Sequence, residues 1–168
     1  ENMRLHAAEN VRPFFQDGTL TWRHRPEYFD RVLLDAPCSS EGRFRADNPE
    51  TTRYWSLKKI RDASRKQRRL LYSGIQCLKP GGRLVYSTCS FAPEENEVVV
   101  NKLMKKFPQA LRIVPITMDI AALRAGLTEW EGRVFSDDLS LAGRIVPDDL
   151  MDGFFVCCIE KTESTVTP

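Results

Sequence analysis

Two of the five cysteines stand where a thiol can react. Cys38 follows the run Phe29-Asp30-Arg31-Val32-Leu33-Leu34-Asp35 and leads into Ser39-Ser40, while Cys89 follows Ser87-Thr88 and precedes Ser90. A thiol at a strand-to-loop junction, partly exposed among small polar donors, is favoured as the thiolate, which is the nucleophilic form. The other three cysteines read differently. Cys77 lies on the apolar side of a helical pattern and Cys157 and Cys158 lie inside an apolar run, the usual places for a small buried side chain. An odd count with one adjacent pair is a poor disulfide framework, so free thiols in a reducing compartment are expected. No Cys or His cluster has zinc spacing, and no metal is expected.

The elements around the two thiols follow from periodicity. Residues 29–35 form a short apolar run that ends in an acid and Ala36-Pro37, as a buried parallel strand does at its carboxyl end. From Leu57 to about Cys77 the apolar residues Leu57, Ile60, Leu70, Leu71, Ile75 and Leu78 recur at helical spacing. Lys79-Pro80-Gly81-Gly82 stops that helix, and Arg83-Leu84-Val85-Tyr86-Ser87-Thr88 reads as a second strand. Pro93, with Glu94, Glu95 and Glu97, opens another helix that runs to about Phe107, since proline fits the first turn and acids there favour the positive end of the helix dipole. Residues 112–146 read as an irregular insertion with a short helix near Met118 to Ala125, residues 153–160 as a closing strand, and residues 162–168 as a frayed tail. Alternating strands and helices predict an α/β fold with an open, mostly parallel sheet, in which ligands sit outside the carboxyl ends of the strands. Consecutive parallel strands then place Cys38 and Cys89 on the same rim.

Composition bounds the remaining choices. The chain has 168 residues and a net charge of +2, enough for one domain with a real core. Its apolar runs fall far short of the roughly 20 residues of a membrane span, no secretory leader pattern is seen, and the expected compartment is the cytoplasm. Positive charge is concentrated between Lys58 and Arg69, where seven cations accompany the single acid Asp62. Such a run is either a solvated helix face or a phosphate-binding surface.

Taken together, Asp35-Ala36-Pro37-Cys38-Ser39-Ser40-Glu41-Gly42, Lys79-Pro80-Gly81-Gly82 through Ser87-Thr88-Cys89-Ser90, Pro93-Glu94-Glu95-Asn96-Glu97 and Met151-Asp152-Gly153-Phe154-Phe155-Val156 resemble the RNA cytosine-5 methyltransferases of the NOL/NOP/Sun family. The resemblance spans roughly Asp17 to Lys161. It implies a Rossmann-like fold that uses S-adenosylmethionine (SAM), with Cys89 as the nucleophile and Cys38 assisting product release. It also implies that Asp35 and Asp17 contact the cofactor, Asp17 at the adenine, and that Pro37 shapes the cysteine loop beside the bound groups. The chemistry agrees with two thiols. Carbon 5 of cytosine is a poor nucleophile until a thiolate adds to carbon 6, and the adduct must later be resolved by acid or base assistance. The substrate implied is RNA, ribosomal or transfer, and Arg43, Arg45, Lys58, Lys59 and Arg65 are its candidate phosphate contacts.

The chain departs from the family at its start. Residues 1–15 contain no glycine, so the N-terminal strands and the glycine-rich cofactor loop are expected to be missing. A partial catalytic domain that binds SAM weakly or not at all by itself is the expectation. Two alternatives stay open: a DNA-type cytosine-5 methyltransferase with Cys38 as nucleophile, and a non-catalytic RNA- or protein-binding remnant.

Overall fold

The computed structural model describes residues 9–166. Residues 1–8, within the glycine-free start, and 167–168, at the tip of the tail, lie outside the described residues. Strand β1 (Phe29–Asp35) is followed by helix α1 (Leu57–Cys77), β2 (Leu78–Thr88), helix α2 (Glu97–Lys106) and β3 (Leu111–Val114). Short strands β4 (Leu123–Ala125), β5 (Glu129–Trp130), β6 (Arg133–Val134) and β7 (Gly143–Ile145) precede the closing strand β8 (Phe154–Lys161).

The expected α/β sheet is present, but it is mostly antiparallel. Its order is β1-β2-β8-β7-β4, with β3 also paired to β8, and only β1 and β2 are parallel neighbours. The cause lies in β8. Both β2 and β3 run antiparallel to β8, so β1, β2 and β3 share one direction and the closing strand is inserted between the second and third of them. The strand–helix–strand succession read from the sequence therefore holds for direction and fails for adjacency.

Helix α1 begins where Ser56 accepts the Lys59 amide, a side-chain cap for an otherwise orphaned donor. Its inward face carries Leu71 and Ile75, both fully buried against Leu84, Tyr86 and Ile159 of the sheet. Burial of each such large side chain contributes about 1.5–3 kcal/mol. Strand β8 alternates strictly: Phe155, Cys157, Ile159 and Lys161 face the core, and their neighbours are half-buried. Cys157 is thus a core side chain, and burial pushes its thiol up. At Pro80-Gly81-Gly82 the β1–β2 register shifts, and Gly81 takes a φ of 78°, a left-handed conformation open to glycine.

Three local expectations are corrected. Helix α2 starts at Glu97 instead of Pro93, because residues 93–96 close turns (Glu95 N–H to Ala92 O, 3.0 Å) that direct Glu95 inward. No helix occupies Met118 to Ala125. Instead, β4 pairs with β7 and extends the sheet, and β3, within the expected insertion, belongs to the sheet itself. The tail is tied down as far as it is described: Thr162 donates its amide to Ala110 (2.8 Å), and Gln76 Nε2 donates to Thr165 O (3.2 Å). No helix among the described residues is long and apolar enough to cross a membrane.

A buried lysine closes the core. Lys161, fully inaccessible, donates to the carbonyls of Ile75 (3.1 Å) and Leu78 (2.8 Å) at the junction of α1 and β2, where Ile75 O also accepts the Leu78 amide. Its Nζ also stands 2.8 Å from Glu27 Oε1, an ion-pair contact rather than an aligned hydrogen bond. Lys161→Met keeps the bulk and strands these acceptors. Unfolding by urea should show a loss of about 1–3 kcal/mol, the cost of leaving a buried carbonyl without its donor; an unchanged midpoint would exclude this role.

Candidate active site

Parallel pairing of β1 with β2 in the register Asp35 to Ser87 brings their carboxyl ends side by side. Three residues beyond one and two beyond the other, the Sγ atoms of Cys38 and Cys89 lie 2.9 Å apart, in a contact where either thiol can donate. Both are free and half-buried. Burial first, and then the hydrogen bond with Cys89, pushes the Cys38 thiol up to about 11.

The loops that carry these thiols are held from beneath by Glu95. Its side chain is fully buried and accepts from the Ser39 amide (3.0 Å), the Ser90 hydroxyl (2.9 Å) and Gln67 Nε2 (2.7 Å). Gln67 also donates to Pro37 O (3.0 Å), and because both of its partners are acceptors the orientation of its amide is settled. One carboxylate thereby joins the Cys38 loop, the Cys89 loop and α1. Hydroxyl contacts reinforce the joint: Ser39 Oγ lies 3.0 Å from Ser90 Oγ, and Asn96 Nδ2 donates to Ser90 O (2.8 Å). A second buried acid, Glu97, pairs with Arg144 (2.6 Å), whose guanidinium also donates to Phe91 O just past Cys89 (3.1 Å).

Backbone contacts complete the arrangement. Gly42 donates its amide to Cys89 O (2.9 Å), and Gly153 donates its own to Gly42 O (2.9 Å). A Cβ on Gly42 would collide with the Gly153 carbonyl, and one on Gly153 with the Phe91 ring.

In front of Cys38 opens a groove of about 490 Å³ whose walls include Pro37, Tyr54, Lys58, Lys59, Asp62 and Lys66. The Tyr54 ring is 74% exposed, leaving a flat aromatic surface beside three ammonium groups. Trp55 Nε1 donates to Glu41 Oε1 (2.6 Å), and Glu41 Oε2 lies 3.3 Å from Ser90 Oγ, whose proton goes to the nearer Glu95, so this aromatic corner stands against the Cys89 loop.

The residues singled out from the sequence are distributed unevenly about this groove. Lys58 and Lys59 line it. Arg43, Arg45 and Arg65 are instead engaged in exposed ion pairs, with Asp152 (3.9 Å), Asp47 (3.1 Å) and Asp62 (3.4 Å), which are weak and readily exchanged for a phosphate. Asp35 is exposed at the end of β1, with Oδ1 accepting from Ser87 Oγ (3.3 Å), and Pro37 is exposed beside Cys38. Asp17 caps the short helical turn Gly18–Arg23, where the Thr19 amide that donates to it holds its carboxyl below the ordinary value. Asp35 and Asp17 are accessible acceptors, a donor set that fits a ligand presenting hydroxyl and amino groups. Among the described residues no cluster of His, Cys, Asp or Glu is arranged to hold a metal. Glu95, Glu97, Gln67, Arg144 and Tyr54 were not among the sequence candidates. The paired acids of Pro93–Glu97 were visible, but the pattern pointed to a helix dipole.

A model of the family described as 16S rRNA methyltransferase RsmB/F matches residues 2–160. The chain belongs to that family. The match bears out the resemblance carried by the cysteine motifs. Among relatives, the chain is 44% identical over 147 residues to a tRNA (cytosine(49)-C(5))-methyltransferase of Pyrococcus abyssi, covering 87% of this chain and 46% of that protein. It is 45% identical over 163 residues to ribosomal RNA small subunit methyltransferase F of Klebsiella pneumoniae, covering 96% and 32%. The chain therefore spans less than half the length of these relatives. Among solved structures it resembles a methyltransferase homolog protein from Pyrococcus horikoshii, with a TM-score of 0.78 at 33% identity over 95% of this chain and 48% of that one. It also resembles NSun6 from Pyrococcus horikoshii solved with SFG, a SAM analogue, with a TM-score of 0.73 at 28% identity over 96% and 37%.

Two outcomes test this geometry. Glu95→Ala leaves the Ser39 amide, the Ser90 hydroxyl and the Gln67 amide without their buried acceptor, at about 1–3 kcal/mol each. A loss of stability of at least about 3 kcal/mol in urea unfolding is expected, with faster alkylation of Cys38 and Cys89 by iodoacetamide. The second outcome concerns pH. Because the folded state raises the Cys38 thiol from 9.0 to about 11, it holds that proton more tightly than the unfolded chain. The resulting stabilisation is complete below pH 9 and is lost as the pH climbs through about 11. The melting temperature of the wild type should fall more steeply across that window than that of Cys38→Ala, and parallel curves would refute the assignment.

Proposed function

We propose that this chain provides the thiol chemistry for transfer of a methyl group from SAM to carbon 5 of a cytosine in ribosomal or transfer RNA. The observation that carries this reading is the Cys38–Cys89 contact at the carboxyl ends of two parallel strands, beside a cationic groove with an exposed aromatic ring. SAM, when bound at this rim near Asp35 and Asp17, supplies the electrophilic methyl group.

The two thiols have different tasks. Cys89 gives its thiol proton to a solvent base and adds through its sulfur to carbon 6; the electron pair of the carbon 5–carbon 6 double bond moves onto carbon 5, which becomes nucleophilic and takes the methyl group, with S-adenosylhomocysteine as the departing product. Cys38, kept protonated by its burial, is the poorer nucleophile and the natural donor, and its S–H lies within reach of the Cys89 sulfur. Once carbon 5 carries the methyl group and its proton has passed to a solvent base, carbon 6 expels the Cys89 sulfur. Cys38 assists by hydrogen-bonding the departing sulfur. Lys58, Lys59 and Lys66 hold the backbone phosphates without reading sequence. Tyr54 offers the face on which an unstacked cytosine rests.

The test uses a protein that carries this chain together with the N-terminal strands of the catalytic domain, with RNA and radiolabelled SAM. Cys89→Ala should transfer no label and form no protein–RNA adduct, whereas Cys38→Ala should accumulate an adduct that survives denaturing electrophoresis. The reverse pattern would make Cys38 the nucleophile, and label transfer at the wild-type rate by the double variant Cys38→Ala, Cys89→Ala would overturn covalent catalysis by either thiol.

A further inference from the structure

A second cationic surface lies away from the cysteines. The turn Gly18–Arg23 packs against α1, and together with the outer face of α2 it forms a groove of about 390 Å³. Arg23, Arg68, Arg69, Lys102 and Lys106 line it, with no aspartate or glutamate among the lining residues. None of the five forms an ion pair among the described residues; the nearby acid is Asp17, which acts on Arg69 from the cap of the turn. Arg43, Arg45, Arg53, Arg65, Arg83 and Arg112 elsewhere on the surface each have a carboxylate partner, whereas here five cations without one share a single groove. Leaving five cations together costs repulsive energy that a bound anion would relieve. Lys102 registers that repulsion, its ammonium pushed down by burial and then by the charges of Arg68 and Arg133.

The floor of the groove is aromatic. Trp22 and Tyr72 meet edge to face with centroids 5.7 Å apart, and both remain partly open to solvent. Lys106 Nζ stands 4.2 Å from the Tyr72 ring centre and the Arg23 guanidinium 5.8 Å from that of Trp22. Phe107 stacks on Tyr72 with centroids 6.1 Å apart, so Trp22 is the ring with more face to offer, and half-buried rings interleaved with cations suit a strand that presents phosphates and bases in alternation. An acidic peptide or an anionic lipid surface would use the charges and leave the rings idle.

The position of the groove fits one continuous ligand. Lys66 borders the Cys38 groove and Arg69 the second one, and three residues along a helix correspond to about 5 Å of rise and a rotation of about 60° to the adjacent face, so a strand that passes from one groove to the other crosses α1 obliquely. We propose that the Arg23–Tyr72–Lys106 groove is a second RNA-binding surface, which holds the phosphates and bases of a single-stranded segment flanking the cytosine in the catalytic groove. This rests on the reading of RNA as the substrate, and its test separates the two.

The probe is a fluorescently labelled single-stranded RNA containing 4-thiouridine, titrated onto the wild-type chain and photocrosslinked. Adducts are expected on peptides containing Trp22 or Tyr72 as well as on those containing Tyr54. The exposed triple variant Arg23→Gln, Lys102→Gln, Lys106→Gln should bind at least tenfold more weakly. Its salt dependence should be shallower by about 2 in slope, from roughly 0.7 per lost phosphate contact on a single strand. Adducts confined to the Tyr54 peptide would overturn the second surface while leaving RNA as the substrate, and adducts on neither would sink both readings. Equal affinity for polyglutamate would also overturn the proposal, since the rings would then add nothing. Should the triple variant lose its helical circular dichroism, the wild-type crosslinks alone decide.

Discussion

A buried carboxylate with no cation to neutralise it is the constraint on which the rest of this site depends. Glu95 is surrounded by an amide N–H, a hydroxyl and a carboxamide, each aimed at its oxygens. In a dry interior such a charge is tolerable only while all its donors are present. The donors come from the Cys38 loop, the Cys89 loop and α1, so the carboxylate and the loop geometry hold one another in place. A side chain that touches neither substrate nor cofactor sets the spacing of the two that react.

The sheet supplies the other half of the arrangement. Because β1, β2 and β3 run in one direction, their carboxyl ends open onto one rim even though β8 is wedged among them. The wedge has a benefit. Its last residue brings the Lys161 ammonium beneath the end of α1, where it donates to the carbonyls of Ile75 and Leu78. Its approach brings Gly153 against the Cys38 loop. The closing strand thus braces the opposite ends of the structure, one by charge and one by backbone.

Features governed by local sequence were legible before the structure. The span Leu57–Cys77 of α1, the strand-end positions of both cysteines and the apolar alternation of β8 all follow from periodicity and turn residues. Features that depend on distant partners were not. Glu95 and Glu97 look like acids at a helix start, and nothing nearby in sequence announces that Ser39 and Arg144 will meet them. The order of strands was equally hidden, since a run such as residues 154–161 carries no mark of its neighbours. Of the basic residues, composition identified the cations on α1 but could not sort those with carboxylate partners, such as Arg65, from those facing an acid-free groove, such as Arg69.

The chain of amide contacts from Gly153 to Gly42 to Cys89 has a consequence for how this protein can vary over time. These bonds belong to the main chain, and exchange of the side chains around them leaves their donors and acceptors in place. Sequence drift on the surrounding surface therefore leaves the spacing of the thiols untouched. Addition of a single methyl group at either glycine disturbs three segments at once. Tolerance at this contact is divided by position: the Glu95 side chain and the two glycine backbones are fixed by what they touch, and the exposed side chains around them are free to change.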